Sequence, residues 1–368
     1  MAMDVCYVVN AVGETSVPAD IATALERYTD VQVDILAWFD ANPFEGEDLV
    51  DVTCLDAPNT MTGIDRRTYS EAKAHLHDYD LIQTHHNHSG AFAKIIARQL
   101  GIPSVSREGN VRRGFNRLGR IANGLTNTLA ATVVCNSKAV YDSFYRWEDA
   151  ILPNSKVTFI PNGVDFERVQ RGRLMDWSAI EAADVDEAAF LVGTAGLLTE
   201  QKDHRTLIEA VAIARERVEV DMHLLLAGDG PLEESLREFA AECGIEHSTH
   251  FLGFLNRQQV YSLFDELDVY AMPSRWEGFS AAAVEALGSG LPAVFSSIAP
   301  FTEPYRDVAR FHQVGDAEAL AQHLVDFAEN PNLCEQLGTK GKELVTQAYA
   351  MDTVAERYRD LYEEILTE

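Results

Sequence analysis

The chain has 368 residues, enough for two domains of ordinary size. Its 46% hydrophobic and 24% charged composition excludes a disordered, collagen-like or fibrous protein. The longest apolar stretches, such as 5–9 and 224–227, are strand-length, which argues against a membrane-spanning helix; 58 acids against 30 bases give a net charge of −28, which repels nucleic acid.

The bases are 23 arginines and only seven lysines. Self-repulsion on this scale destabilises a compact chain unless salt screens it, and the Debye length shrinks to about 3 Å at 1 M. The composition is expected of a protein adapted to a salt-rich, halophilic cytoplasm, the alternative being a merely acidic mesophilic protein. Cys6, Cys54, Cys135, Cys243 and Cys334 include no C-x-x-C pair and sit mostly in or beside apolar segments. They read as buried thiols of a reducing, cytoplasmic compartment. The opening Met-Ala-Met-Asp has no basic region before its apolar run, so it reads as the approach to a first strand and not as a signal peptide.

In chain order, strands are expected at 5–9, 31–37, 81–84, 104–106, 132–135 and 156–160. Helices at 19–28, 91–100 and 115–130 fall between them. The pattern restarts at Phe190, with strands at 190–194, 223–227, 250–251, 269–272 and 293–296. Its helices are expected at 204–217, 232–243, 257–264 and 281–289. This alternation predicts two α/β domains of Rossmann-like, doubly wound type, each a parallel sheet with helices on both faces. The expected domains are 1–168 and 187–349, with a charged, strandless seam near 166–188 that follows the turn Pro161-Asn162-Gly163. The tail over 316–368 reads as helical, and its last segment places Val354, Tyr358, Leu361 and Ile365 on one face. Open α/β sheets bind ligands outside the carboxyl ends of their strands, so a ligand-cleft protein is expected.

The most informative segment is Pro273-Ser274-Arg275-Trp276-Glu277-Gly278-Phe279-Ser280, which links a strand to an alanine-rich helix. A helix opening after a glycine-containing loop offers unpaired N–H groups and a positive dipole end to a phosphate. Glu285 sits in the second turn of that otherwise apolar helix, where a carboxylate is costly unless hydrogen-bonded. A ribose diol would satisfy both its oxygens, and Glu277 in the loop could meet a sugar hydroxyl. The bland alternative is a solvated loop acid and an outward-pointing helix acid, which the Glu-x7-Glu spacing around Gly278-Phe279 disfavours. Three more segments agree. Gly193-Thr194-Ala195-Gly196-Leu197-Leu198-Thr199-Glu200-Gln201-Lys202 is a small-residue loop whose lysine suits a diphosphate. Gly228-Asp229-Gly230-Pro231 ends the next strand, with proline at a first helical position. Pro161-Asn162-Gly163-Val164-Asp165 is a tight turn at the seam.

In this order and spacing the segments resemble the retaining glycosyltransferases of the GT-B fold, family 4. The resemblance runs from about Asp80 to the C-terminus and is strongest over 192–303. It implies a nucleotide-diphosphate-sugar donor, UDP- or GDP-linked, and two Rossmann-like domains facing a central cleft. Lys202 would hold the donor diphosphate, Gly278 would belong to the loop that admits it, and the Phe279 and Ser280 amides would cap it. Glu285 would bind the ribose, Glu277 the transferred sugar, and Gly253-Phe254 would lie near the base. Gly196, Gly228 and Gly230 would shape the donor loops, and Gly13 would approach the phosphates from the other domain. The last helix, 350–368, would pack back on the first domain. Leu197 stands where the family usually has an arginine, and Asn10-Ala11-Val12-Gly13 lacks its usual glycine pair. Arg107-Glu108-Gly109-Asn110 stands where many members have a histidine.

No carboxylate pair reads as nucleophile and acid across a sugar ring, and no Asp-x-Asp reads as metal-binding. Lys202 and helix N–H groups would stabilise the leaving group, so a metal-independent transfer without a further cofactor is expected. His85, His86 and His88 end the strand at 81–84; zinc is weighed there against hydrogen bonds to acceptor or sugar, and the lack of further ligands at zinc spacing favours the latter. Arg107, Arg112, Arg113, Arg117 and Arg120 gather in fourteen residues whose one acid is Glu108. Arg113, Arg117 and Arg120 are expected on one helical face beside a stripe of Phe115, Leu118, Ala122, Leu125 and Leu129. That helix either packs on its domain or offers a basic, amphipathic face to an anionic acceptor or lipid phosphate. The acceptor is expected to be a glycan or a lipid-linked sugar at the inner membrane surface. The rival readings are a non-catalytic sugar- or nucleotide-binding relative with a regulatory role, and a dehydrogenase, disfavoured because no G-x-G-x-x-G opens the first helix.

Overall fold

The computed structural model describes residues 3–58, 65–85 and 88–367. The chain forms two compact units, Met1–Gly163 with Met351–Glu368, and Val164–Ala350. In the first, strands β1 (Met3–Val12), β2 (Val31–Ala41), β3 (Val52–Cys54), β4 (Leu81–Thr84), β5 (Ser104–Glu108), β6 (Thr132–Cys135) and β7 (Val157–Phe159) build one sheet in the order β3-β2-β1-β4-β5-β6-β7. Every pairing is parallel. Strand β1 shows why its run is continuously apolar. Val5, Tyr7 and Val9 face one core, Cys6 and Val8 the opposite one, so both faces of the sheet are buried.

Helices α1 (Val17–Tyr28), α2 (Arg66–His75), α3 (Ser89–Leu100), α4 (Arg117–Asn127), α5 (Lys138–Asp142) and α6 (Arg146–Ile151) follow in this unit. The second unit opens with α7 (Phe166–Arg173) and α8 (Ala179–Ala183), so the strandless seam is helical and belongs to it. Asp165 starts α7 by accepting from the Arg168 amide at 3.1 Å. Strands β8 (Phe190–Ala195), β9 (Met222–Ala227), β10 (Thr249–Gly253), β11 (Val269–Met272), β12 (Ala293–Ser296) and β13 (Arg310–His312) then form a parallel sheet ordered β10-β9-β8-β11-β12-β13. Its faces are covered by α9 (His204–Arg215), α10 (Glu233–Glu242), α11 (Arg257–Glu266), α12 (Ala281–Ser289), α13 (Ala299–Tyr305), α14 (Ala317–Glu329) and α15 (Pro331–Ala348). Strands β3 and β13, at 52–54 and 310–312, were not among the expected strands.

Helix α16 (Met351–Thr367) returns to the first unit. Val354, Ala355, Tyr358 and Tyr362 are buried in the core of that unit, with Leu361 and Ile365 packed at its margin. Gly163 permits the approach, because a Cβ there would lie 2.9 Å from the Met351 sulfur. Cys6 and Cys135 are buried, the other three thiols half-buried, and burial raises the pKa of all five.

Helix α4 departs from expectation in a specific way. It begins at Arg117, capped by Asn116, so Arg113 lies before it in a short 3-10 turn and does not share its face. Its buried residues are Asn123, Gly124 and Asn127, whereas Leu118, Ile121 and Leu125 are exposed. The polar face points inward because it serves buried charges. Lys94 Nζ, fully buried, donates to Ser106 Oγ at 3.0 Å, Asn123 Oδ1 at 2.9 Å and Asn127 Oδ1 at 2.6 Å. Glu108 accepts from Asn123, Asn127 and Arg112, and Arg112 Nε donates to Glu148 at 2.9 Å. Glu108 and Arg112 are therefore internal partners, not members of a basic surface.

Burial pushes Lys94 down to about 8. Burial also raises Glu108, but the charges of Arg112 and Lys94 outweigh it and hold the carboxyl at about 2. A carboxyl depressed in the folded state adds stability that is complete above its ordinary value and is lost as pH falls toward 2. Glu108→Gln should cost about 3–5 kcal/mol at pH 7 and flatten that acid dependence, as read by urea unfolding across pH. An unchanged midpoint would contradict the network's role.

Candidate active site

In each sheet the strand order reverses once, between β1 and β4 and between β8 and β11. A crevice opens at such a reversal, outside the carboxyl ends of the strands. In the second unit, β8 delivers the loop 196–203 to that point and β11 delivers 273–280. Lys202 Nζ donates to Glu277 Oε1 at 2.7 Å. Ser274 Oγ adds a second bond to the same oxygen at 2.9 Å, and Gln201 Nε2 reaches Oε2 at 3.2 Å. Glu277 is buried and Lys202 is mostly so, and the pair is largely desolvated.

Glycines let the neighbouring loops close on this point. A Cβ on Gly228 would lie 2.1 Å from the Gly196 carbonyl oxygen, and one on Gly230 2.5 Å from that of Leu198. Both have positive φ. The close approach lets Leu198 N donate to Asp229 O at 2.7 Å and Gly228 N to Gly253 O at 2.7 Å. Gly196, Gly228, Gly230 and Gly253 thus form one seam along the ends of β8, β9 and β10, with Phe254 exposed beside it.

Gly278 and Phe279 lead into α12, whose N-cap Ser280 accepts from the Ala283 amide at 3.3 Å. Glu285 is half-buried and accepts from Tyr261 Oη at 3.0 Å, a partner that sequence did not suggest. Arg275 is tied to the Lys202 loop twice, through its amide to Gln201 O at 2.8 Å and its guanidinium to Asp203 at 3.0 Å. His204, buried, is held near 4 by burial and then by the Lys202 charge. Leu197 is exposed.

In the first unit, Gly13 follows β1 in a turn closed by Ser16 N to Gly13 O. His85 leaves β4, while His86 lies outside the described residues. His88 stands before α3 with its ring near Phe39 and Phe92. His85, Arg107, Glu108 and Asn123 meet around a cavity of about 30 Å³. Arg113 and Arg117 are exposed, and Arg120 donates to Tyr145 Oη and lies over its ring. Among the described residues no group of three or more His, Cys, Asp or Glu is placed to hold a metal ion.

The family described as Glycosyltransferase Family 4 matches residues 14–168, and Glycosyl transferases group 1 matches residues 176–344. A UDP-Gal:α-D-GlcNAc-diphosphoundecaprenol α-1,3-galactosyltransferase of Escherichia coli is 24% identical over 233 residues, 60% of this chain and 58% of that protein. A D-inositol 3-phosphate glycosyltransferase of Streptomyces coelicolor is 26% identical over 321 residues, 77% of this chain and 68% of that protein. The chain spans little more than half the length of several curated relatives it matches. Among solved structures, Anabaena Alr3699/HepE in complex with UDP and glucose superposes with a TM-score of 0.81 at 18% identity, covering 98% of this chain and 100% of that one. Two Rossmann-like parallel sheets give the chain the GT-B fold, and its two halves separately match the two glycosyltransferase family models.

Proposed function

We propose that this protein is a retaining, metal-independent hexosyltransferase that moves a sugar from a UDP- or GDP-linked donor to a glycan or lipid-linked acceptor. The Lys202–Glu277 pair at the strand reversal of the second unit, beside the opening of α12, carries this reading. A donor diphosphate offers Lys202 a stronger partner than one carboxylate. When Lys202 turns to it, the amides at the start of α12 share the charge and Glu277 is released toward a sugar hydroxyl. Glu285, already oriented by Tyr261, takes the ribose diol. The glycosidic bond to phosphate breaks while the acceptor oxygen bonds the same face of the anomeric carbon, and the departing phosphate takes the acceptor proton. Support for the donor class comes from the likeness to a protein solved with UDP and glucose, and for a lipid-linked acceptor from the Escherichia coli relative.

Titrating a panel of UDP-, GDP- and ADP-sugars should raise the melting temperature for one donor, since a ligand at 100 times its Kd adds about 2.7 kcal/mol. Lys202→Ala and Glu277→Gln should each cut transfer about 10²–10³-fold with the far-UV spectrum unchanged. Donor binding without turnover in the unaltered protein would give the non-catalytic reading instead, and no binding would overturn both.

The acceptor side of this reading places α4 against an anionic lipid surface. Apart from the interior Arg112, residues 109–141 contribute Arg113, Arg117, Arg120 and Lys138 and no acid, in a chain of −28. Leu118, Ile121 and Leu125 are exposed on α4, and Trp147 and Ile151 on α6. Basic residues beside exposed apolar ones are what an anionic bilayer binds, at about 1 kcal/mol per arginine. The protein should sediment with phosphatidylglycerol vesicles, and Arg113→Gln, Arg117→Gln and Leu118→Gln together should weaken that at least tenfold. Equal binding to neutral vesicles would contradict it. For the salt-adapted, cytoplasmic reading, urea stability should climb steadily between 0.1 and 3 M KCl, and a flat response would oppose it.

A further inference from the structure

Three buried side chains connect His85 to the C-terminal helix. Tyr7 and Tyr362 share a hydrogen bond between their hydroxyls at 2.7 Å, and Tyr362 donates to Gln83 Oε1 at 2.8 Å. The other end of the Gln83 amide, Nε2, lies 3.0 Å from His85 Nε2. Tyr7, Tyr362 and Gln83 are fully buried. Burial raises the pKa of Tyr7 and Tyr362 well above the ordinary phenol range, so both keep their protons. An amide N–H can only donate, so the imidazole nitrogen it faces must be the unprotonated one. With Tyr362 donating to Oε1, its oxygen is left to accept from Tyr7, and the amide presents Nε2 to the imidazole. A second tyrosine of α16 serves the neighbouring residue. Arg107 Nε donates to Tyr358 Oη at 3.1 Å, and its Nη2 donates to Asn162 Oδ1. His85 and Arg107 line the same cavity.

We infer that Tyr362, acting through Gln83, fixes His85 as the neutral tautomer with its proton on Nδ1, while Tyr358 and Asn162 fix Arg107, so that α16 pre-orients the hydrogen-bonding pair of the acceptor-side cavity. The role of that pair in acceptor binding rests on the function proposed above. The tautomer does not. Tyr358, Tyr362 and Gln83 are positioning residues: they touch no substrate and act through His85 and Arg107. Holding one tautomer by a second partner is how imidazoles are given a defined donor and a defined acceptor side. A free histidine exchanges between both forms, so fixing it removes an ordering cost from binding.

The test is long-range ¹H–¹⁵N spectroscopy of the full chain with labelled histidine, the His85 signal being assigned by its loss in His85→Asn. The unaltered protein should show His85 with Nε2 unprotonated. Gln83→Glu replaces the donor with an acceptor and should reverse the tautomer, moving the proton to Nε2. Tyr362→Phe removes one hydroxyl, frees the Gln83 amide and should give a mixture of the two forms. It also answers the question if Gln83→Glu does not fold. In transfer assays Gln83→Glu and Tyr358→Phe should raise the acceptor KM at least tenfold while donor Kd stays within twofold. A protonated Nε2 in the unaltered protein, or a spectrum indifferent to both Gln83→Glu and Tyr362→Phe, would overturn the inference whether or not a donor binds. The expected tautomers with an unchanged acceptor KM would overturn the positioning role alone.

Discussion

A cation and an anion face each other at the reversal point of the second sheet, and much of that unit is arranged to keep them there. Lys202 and Glu277 come from loops on adjacent strands, β8 and β11, and Ser274 and Gln201 complete the carboxylate's hydrogen bonds. Taking such a pair out of water is expensive, and removing one member leaves the other stranded at a cost of about 3–5 kcal/mol. Hydrophobic residues would pack as well. What an ion pair offers in addition is exchangeability, because an incoming anion of higher charge can take the lysine and leave the carboxylate to a neutral polar group. The helix start at Ser280 is the backbone counterpart, while the glycines at 196, 228 and 230 let the neighbouring loops close, the Gly196 and Gly228 amides being used on backbone carbonyls.

The first unit follows a different logic. Its buried charges bond to one another and to Asn123 and Asn127, so that Lys94, Glu108, Arg112 and Glu148 tie α3, β5, α4 and α6 together. Satisfying these charges uses the inward face of α4, so the leucines of that helix are left on the outside. An apolar stripe at helical spacing usually marks the face toward the core. Here two asparagines at positions 123 and 127 reverse that rule, and the exposed surface that results is a consequence of the interior charges. The tyrosines of α16 extend the same principle to His85 and Arg107.

Sequence periodicity read most of this fold because both sheets are parallel and covered on both faces, which gives unbroken apolar runs such as 5–9 and 269–272. Strand β11 and helix α12 have the boundaries expected, since Pro273, Ser280 and Gly290 punctuate them. The loops at 196–203 and 273–280 were legible for the same reason, glycine and proline at fixed offsets being a local signal. The pairings that complete the sites were not. Tyr261 to Glu285 and Tyr362 to Gln83 join positions 24 and 279 apart, distances at which local pattern carries no information. The arginines expected in one cluster, three of them on one helical face, separate: Arg112 is interior, Arg107 lines a cavity, Arg113 precedes the helix, Arg120 lies over the Tyr145 ring, and Arg117 alone is an exposed helical residue.

The exchange of partners at Lys202 is tested most directly by an experimental structure of the protein with its nucleotide sugar bound. Lys202 Nζ is predicted to leave Glu277 and lie within hydrogen-bonding distance of the diphosphate, with Glu277 on a sugar hydroxyl and Glu285 on the ribose. A nucleotide seated away from α12, or Lys202 still paired with Glu277 in the presence of bound donor, would contradict it.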